Sequence, residues 1–437
     1  MLLLVAEKIT PRLRYTANLL LDTILGIEYK LYQPGDISGT EKKLPRLYYG
    51  IEAEDGNVSI PGSHFIRESG VDPVQVNLKG SPDYDIFFAH ENFRGYTFDF
   101  DLFSAAFYIV ARYDRWTHPA YDEYGRYNEK NEELFVRAYL DIPVVHHYAE
   151  MIWEKLKEKF PELKRKQNVF NYTITIDIDS PWLYKNKGTI TNSAGVVKDI
   201  IKRDFHPVAQ RLSILLGKVR DPYDSYVWIM NKIPKEHLHF FFLIDRNAPE
   251  DERYTYKNKA YGNLIRKIAG KGIGVGIHPS FSSFIDAERI EFESRQLSAI
   301  IGRKADSSRM HFLRYSMPET FRALIEAGIE NDYSICPVTR PGFVHGMSVP
   351  FSWYDVEIDK ATELILHPTM VMDRGLQKYN GVETDEATKL IQNIIEVTRA
   401  YHGHFVLLWH NSSLSNREEW KGWRAVFDKT VRYLRAK

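Results

Sequence analysis

The chain has 437 residues, 44% hydrophobic and 27% charged, which is length and apolar content enough for two cored domains. Lys+Arg and Asp+Glu are both 58, so the net charge is zero, which argues against bulk electrostatic binding to nucleic acid or anionic lipid and leaves only a local basic patch open. Cys336 is the only cysteine, so an intramolecular disulfide is excluded.

Leu2 to Val5 reads as a first strand. The run lacks a basic leader and a cleavage site, so the expected location is the cytoplasm. Arg12 to Ile24 follows with helical spacing of Leu13, Leu19, Leu20 and Ile24. Pro34 to Gly80 is rich in turns. Asp99 to Trp116 predicts a buried helix, with Leu102, Phe103, Ala106, Phe107, Val110 and Ala111 recurring at helical spacing. Thr117 to Glu132 is polar and aromatic and reads as a loop or a domain contact. These segments define an N-terminal α/β domain over residues 1–140, and residues 141–167 read as a helical linker.

From residue 168 to 437 strands alternate with helices. Strands are expected at 170–178, 239–244, 274–277, 308–312, 333–335, 364–366 and 405–409. Helices are expected at 259–269, 287–301, 319–327 and 384–401. This alternation predicts a parallel sheet, either a barrel or an open one. No apolar run approaches the roughly 20 residues of a membrane-spanning helix.

The polar residues of this second part gather at strand ends. In Thr173-Ile-Thr-Ile-Asp-Ile-Asp, Asp177 and Asp179 share one face of a strand. Adjacent carboxylates repel and lose hydration, so a metal or a shared proton would explain them better than packing. His278 and His410 close two later strands, and Arg309 and His311 lie on or beside a third. In barrels, catalytic groups collect at the C-terminal ends of strands. Each residue also has a structural reading: Asp177 and Asp179 as turn caps or partners of Lys and Arg, His278 as a turn histidine, His410 as a hydrogen-bond partner of a loop, and His311 as structural. Asp245 reads as a turn cap or a partner of Arg246, and His345 and His367 read as structural. The glycine run Gly270-Lys-Gly-Ile-Gly-Val-Gly resembles a phosphate-cradling loop, but a strand passes through it and no helix follows directly.

In this order the residues resemble the NodB-homology polysaccharide deacetylases, carbohydrate esterase family four, over roughly residues 168–437. The resemblance implies a distorted parallel (β/α) barrel of NodB-homology type with the additional N-terminal α/β domain. It implies Asp177 as general base, Arg309 as the arginine that orients it, and His410 as catalytic acid. It implies Asp179 and His278 as ligands of a divalent metal, expected to be zinc. The family carries a second histidine four residues after the first, where this chain has Ser282; His311 is the candidate third ligand. Arg314 is a rival for the arginine, and Arg314 and Ser280 are the candidate substrate-binding residues. Phe98-Asp-Phe-Asp-Leu-Phe-Ser and Arg112-Tyr-Asp resemble the N-terminal domain of one bacterial group within this superfamily.

The expected activity is metal-dependent removal of an N-acetyl group from a sugar or glycan. The expected partner is a carbohydrate, with no nucleic acid and no membrane span. Trp182, Tyr184, Phe281 and Trp353 are candidates to line a sugar subsite, or core. The first alternative is an altered deacetylase-fold protein that binds glycan or hydrolyses another C–N bond. The second is a nucleotide-sugar transferase built from two α/β domains.

Overall fold

The computed structural model describes residues 1–37, 39–53, 57–80, 85–90, 94–132, 140–203 and 205–436. They form two compact units. The first takes Met1–Asn171 with Gly342–Pro368 and Glu396–Phe405, and the second takes Tyr172–Pro341, Thr369–Ile395 and Val406–Lys437. The helix Val144–Lys159, expected as a linker, lies within the first unit. No described helix is long and apolar enough to cross a membrane.

In the first unit, strands β1 (Leu2–Ala6), β2 (Tyr29–Tyr32), β3 (Arg46–Tyr49) and β4 (Val58–Ile60) form a parallel sheet in the order β2-β1-β3-β4. All five residues of β1 are buried, as a continuous apolar run in a parallel sheet requires. A short antiparallel pair, β5 (Leu78–Lys79) and β6 (Ile86–Phe87), stands apart. Thr10 caps the helix Pro11–Ala17, with Pro11 in its first turn, and the predicted helix over 12–24 then continues as a π-helical turn, Asn18–Ile24.

The helix predicted at 99–116 begins at the Asp101 cap, runs Leu102–Ala111 with every residue buried, and stops at Arg112 in the left-handed region (φ 49°). The buried guanidinium of Arg112 pairs with Asp114 (2.9 Å) and Glu132 (2.7 Å). Burial works against ionisation of Glu132, but Arg112 and Arg115 outweigh it and pull its pKa down to about 2.

The second unit holds β7 (Asn171–Ile178, from Tyr172 on), β8 (Leu238–Phe242), β9 (Gly274–Ile277), β10 (Ser307–Ser308) and β11 (Asn331–Asp332). The antiparallel hairpin β12 (Phe351–Asp355) and β13 (Lys360–Leu366) belongs to the first unit. The second is completed by β14 (Val371–Met372) and β15 (His404–His410, from Val406 on). Its strand order is β11-β10-β9-β8-β7-β15-β14. The pairs β11/β10, β10/β9, β9/β8, β8/β7 and β15/β14 run parallel.

The helices Lys259–Ala269, Ala287–Ile301, Glu319–Glu326 and Thr384–Ala400 fall where the sequence predicts them. Asn258 and Asp286 cap the first two. The strand expected at 308–312 is shorter: it ends at Ser308, and the chain turns into a 3-10 segment at His311–Leu313. The strand expected at 333–335 sits earlier, at Asn331–Asp332. No strand ladder closes the sheet into the expected ring among the described residues, although Thr369 N–H donates to Ile335 O (2.8 Å).

Ile178, Phe242, Ile277 and Ser308 occupy one register row across four parallel strands. The residues that follow three of them, Asp179, His278 and Arg309, therefore leave the sheet at a common edge. The glycine run makes this register possible. A Cβ on Gly276 would lie 2.5 Å from Phe241 Cε1 and 2.7 Å from Ser307 O. The glycines thus admit neighbouring strands and rings instead of cradling a phosphate. Gly276→Ala should cost roughly 1–3 kcal/mol of stability through overpacking. Urea denaturation would read this as a lowered midpoint, and an unchanged midpoint would refute the packing role.

Candidate functional site

The site lies at the C-terminal edge of the second unit's sheet. Asp177 is the penultimate residue of β7, and Asp179 is the first residue beyond it. Both side chains turn to the same side, as strand alternation requires. Arg309 is fully buried and spreads its guanidinium over four partners. It donates to Asp177 Oδ1 (3.3 Å), Thr175 Oγ1 (2.7 Å), Tyr333 O (3.0 Å) and Thr369 Oγ1 (2.9 Å). Phe241 lies under the same cation, 5.0 Å from ring centre to Cζ.

Asp179 is the hub. Its Oδ2 accepts from Arg374 Nη2 at 2.8 Å and stands 4.0 Å from His410 Nε2. Its Oδ1 faces His278 Nε2 at 3.4 Å and His311 Nε2 at 3.9 Å. Burial alone would raise the Asp179 pKa. The charge of Arg374 and the neighbouring His278, His410 and His311 rings outweigh burial and hold it well below the carboxylate range.

Three imidazoles surround these carboxylates, each held from behind. His278 Nδ1–H donates to the backbone carbonyl of Arg309. His311 Nδ1–H donates to Asp251 Oδ1 at 2.9 Å. His410 Nδ1–H donates to Asp373 Oδ1 at 2.7 Å, while its backbone N–H donates to Asp373 Oδ2 at 2.8 Å. With Nδ1 committed as a donor, each neutral ring keeps its lone pair on Nε2, facing the carboxylates. Burial lowers the His311 pKa against the pull of Asp251 and Asp179. For His278 burial is outweighed by Asp177 and Asp179, and its pKa is raised. Burial opposes the ionisation of Asp373 and Asp251, but contacts with His410 and His311 keep both pKa values below the ordinary one.

Asp179, His278 and His311 offer one ligand atom each, all within 4.8 Å of one another. Asp179 Oδ1 is buried and accepts no hydrogen bond among the described residues. An orphaned carboxylate oxygen facing two Nε2 atoms is a donor set that fits a divalent cation. Ser282, which stands at the resembled family's second histidine position, is exposed, and its N–H donates to Asn247 Oδ1 (3.1 Å). His311 approaches from another strand end.

Two expected substrate contacts are placed elsewhere. Ser280 is fully buried, its N–H donating to Glu293 Oε2 (3.0 Å) and its hydroxyl bonded to Glu293 and Ser283, so it has no hydroxyl to offer a ligand. Arg314 lies over the rings of Phe281 (4.5 Å) and Phe284 (3.7 Å) and donates to Phe281 O (3.2 Å). Arg309 is the arginine that contacts Asp177. Asp245 pairs with Arg289 (2.8 Å), not with Arg246. His345 is buried in the first unit and donates to Val110 O at 2.7 Å.

Beside Arg374 opens a cavity of about 620 Å³, lined in part by Tyr184, Tyr223, Arg417, Ser412 and Trp420. Of the aromatic candidates only Tyr184 lines it. Trp182 packs on Tyr254 and Tyr261, Phe281 on Phe312, and Trp353 is buried in the first unit. Asp251, Asp373 and Arg374 had no signal in the sequence. Each is an ordinary charged residue in a loop or at a strand end, and only the fold brings it to a histidine or to Asp179.

Two tests follow from this geometry. Asp251→Asn should weaken divalent-metal binding roughly 10–100-fold by releasing the His311 ring. Titration calorimetry would measure this, and unchanged affinity would remove His311 from the ligand set. Burial pushes the Glu293 pKa up to about 7 from 4.5. Between these values the folded chain binds this proton more tightly than the unfolded chain, so stability falls as pH rises. Glu293→Gln should flatten that fall, as read by urea midpoints at the two ends of the window.

Residues 2–161 match the model of a family described as a family of unknown function (DUF7033). No curated protein matches the chain. A provisionally named polysaccharide deacetylase of Mycobacterium smegmatis is similar in structure at 16% identity and a TM-score of 0.37, over 61% of this chain and 84% of that one. The polysaccharide deacetylase of Bacillus cereus gives 15% and 0.29, over 61% and 87%. Another provisionally named one, of Pseudomonas aeruginosa PAO1, gives 10% and 0.37, over 61% and 85%.

Proposed function

We propose that the chain is a metal-dependent hydrolase that removes an N-acetyl group from a sugar or glycan. The observation that carries this is a division of labour around Asp179. One carboxylate, Asp177, is held by a buried arginine, while Asp179 faces two imidazole nitrogens and a third imidazole, His410, is backed by its own carboxylate. The order of these residues along the chain supports it through the resemblance to NodB-homology deacetylases. In this reading the second unit, Tyr172–Pro341 with Thr369–Ile395 and Val406–Lys437, carries the reaction on a distorted (β/α) barrel-like fold, and the first unit is a separate α/β domain.

Asp179, His278 and His311 would hold the metal, and two imidazoles with one carboxylate suit zinc. The chemistry such a metal supplies when bound is polarisation of an acyl carbonyl and acidification of water. The rest belongs to the chain. Arg309 pairs with Asp177 and fixes its Oδ1 edge. Asp177 takes the proton from the attacking water as the new C–O bond forms. His410, its Nδ1–H anchored on Asp373, acts at this step as imidazolium and gives its Nε2 proton to the nitrogen as the C–N bond breaks; the proton taken by Asp177 then restores it for the next turnover. Acetate and a free amine result. Asp373 acts as a positioning residue for that ring. Tyr184, Tyr223 and Trp420 offer faces for a sugar in the adjoining cavity.

One contact favours a second reading. Arg374 occupies Asp179 Oδ2, so the hub carboxylate already has a cationic partner. A protein that keeps this fold and binds glycan without hydrolysing it would tolerate that pair. Metal content separates the two. Near-stoichiometric zinc that is lost in His278→Ala supports the hydrolase. Metal-free protein that zinc does not stabilise supports the binder.

Acetate release from N-acetylated oligosaccharides tests the activity directly. Asp177→Asn should abolish it, by about a thousandfold or more, with the thermal transition intact. Full activity in that variant would defeat the mechanism.

A further inference from the structure

We propose that the helical hairpin of the second unit, Thr189–Ile201 with Phe205–Leu215, docks the protein on an anionic phospholipid surface. The hairpin is built inside out. Its inward side buries two polar residues, Asn192 and Arg211, beside Ile214; Arg211 pairs with Asp199 (2.9 Å) and Asn192 Oδ1 (3.3 Å), and its guanidinium covers the Tyr184 ring at 4.4 Å.

Its outward side is apolar. Ile190, Val197 and Ile201 are 86%, 56% and 76% exposed, and Phe205, Leu212 and Leu216 are 65%, 50% and 69% exposed. In each triplet the spacing is seven and then four residues, which aligns the side chains in a single stripe along a helix. Ile200, Leu215 and Val219 widen the patch. Soluble surfaces seldom leave so many large aliphatic side chains in one contiguous place.

Charge selects the occupant. Residues 185–220 contain eight Lys and Arg against Asp199 and Asp204, a net charge of +6 in a chain whose total is zero. Lys198, Lys202, Arg203, Lys218 and Arg220 are exposed around the stripe. An apolar stripe rimmed by cations fits the headgroup and acyl boundary of an anionic bilayer. A second copy fits poorly, because a symmetric contact would press two such cationic segments together. Neither helix reaches the roughly 20 residues needed to span a membrane, so the hairpin would lie in the interface.

Asp199, Pro207 and Arg211 also wall the cavity beside Arg374. Docking would thus set one wall of that cavity against lipid. On the deacetylase reading, and only on it, this favours a lipid-anchored glycan as substrate.

The test is vesicle flotation of the full chain. Wild-type protein should float with vesicles of equal parts phosphatidylglycerol and phosphatidylcholine. It should float roughly tenfold less with phosphatidylcholine alone or at high salt. Ile201→Ser with Leu212→Ser and Leu216→Ser should lose binding roughly tenfold with an unchanged circular dichroism spectrum. Lys198→Glu with Lys202→Glu should lose the preference for phosphatidylglycerol. The proposal is overturned if wild-type protein fails to float, if the serine variant floats equally, or if sedimentation shows a hairpin-dependent dimer that ignores lipid. Asp177→Asn should float as wild type does, so loss of deacetylation and loss of docking remain separate results.

Discussion

Two carboxylates two residues apart on one buried strand end repel, and the second unit's site is organised around making that tolerable. Each has its own guanidinium. Arg309 reaches Asp177 from the row of strand ends, and Arg374 reaches Asp179 from the segment after β14. The two are not equivalent. Arg309 is fully buried and fixed by four acceptors, so its charge is a permanent part of the core. Arg374 is partly exposed, with 27% of its side chain accessible. A surface-reaching cation can shift when the charge near Asp179 changes, whereas Arg309 cannot without leaving buried partners unpaired.

The same logic runs through the histidines. An imidazole that is to present Nε2 to a cation or a substrate must have its other nitrogen occupied. Here that partner is a backbone carbonyl for His278 and a buried carboxylate for His311 and for His410. The carboxylates are secured in turn. Asp251 accepts from the amides of Asn247, Ala248 and Phe281, and Asp373 from the amide of His410. The site is therefore anchored by main-chain hydrogen bonds, which hold geometry with little loss of side-chain entropy.

The two glycines of β9 and the hairpin at residues 189–215 show opposite uses of small and large apolar groups. Gly276 is bare so that Phe241 and the carbonyl of Ser307 can close on it, which sets the row from which His278 and Arg309 emerge. The hairpin leaves its large aliphatic residues uncovered, while a buried arginine secures its inner side. In the first the missing side chain serves the fold, and in the second large side chains are left half or more exposed.

Local pattern in the sequence was enough for the alternation around Asp177 and Asp179, for the caps at Asn258 and Asp286, and for the helices of the second unit that show an apolar stripe. These depend on neighbours within one or two turns, so periodicity and capping chemistry make them legible. The order of His278, Arg309, His311 and His410 was legible too, since each stands at or just beyond a strand end. Tertiary structure alone decided that His311 faces Asp179, that Arg309 and not Arg314 meets Asp177, and that Ser280 is buried on Glu293. It also decided the roles of Asp251, Asp373 and Arg374. The physical reason is distance along the chain: Asp179 and Arg374 are 195 positions apart, as their ion pair records, and a lone charged residue in a loop bears no periodicity that names its partner. The inverted polarity of the 189–215 hairpin escaped for a related reason, because a helical stripe shows which residues share a face and not whether that face meets the core or the solvent.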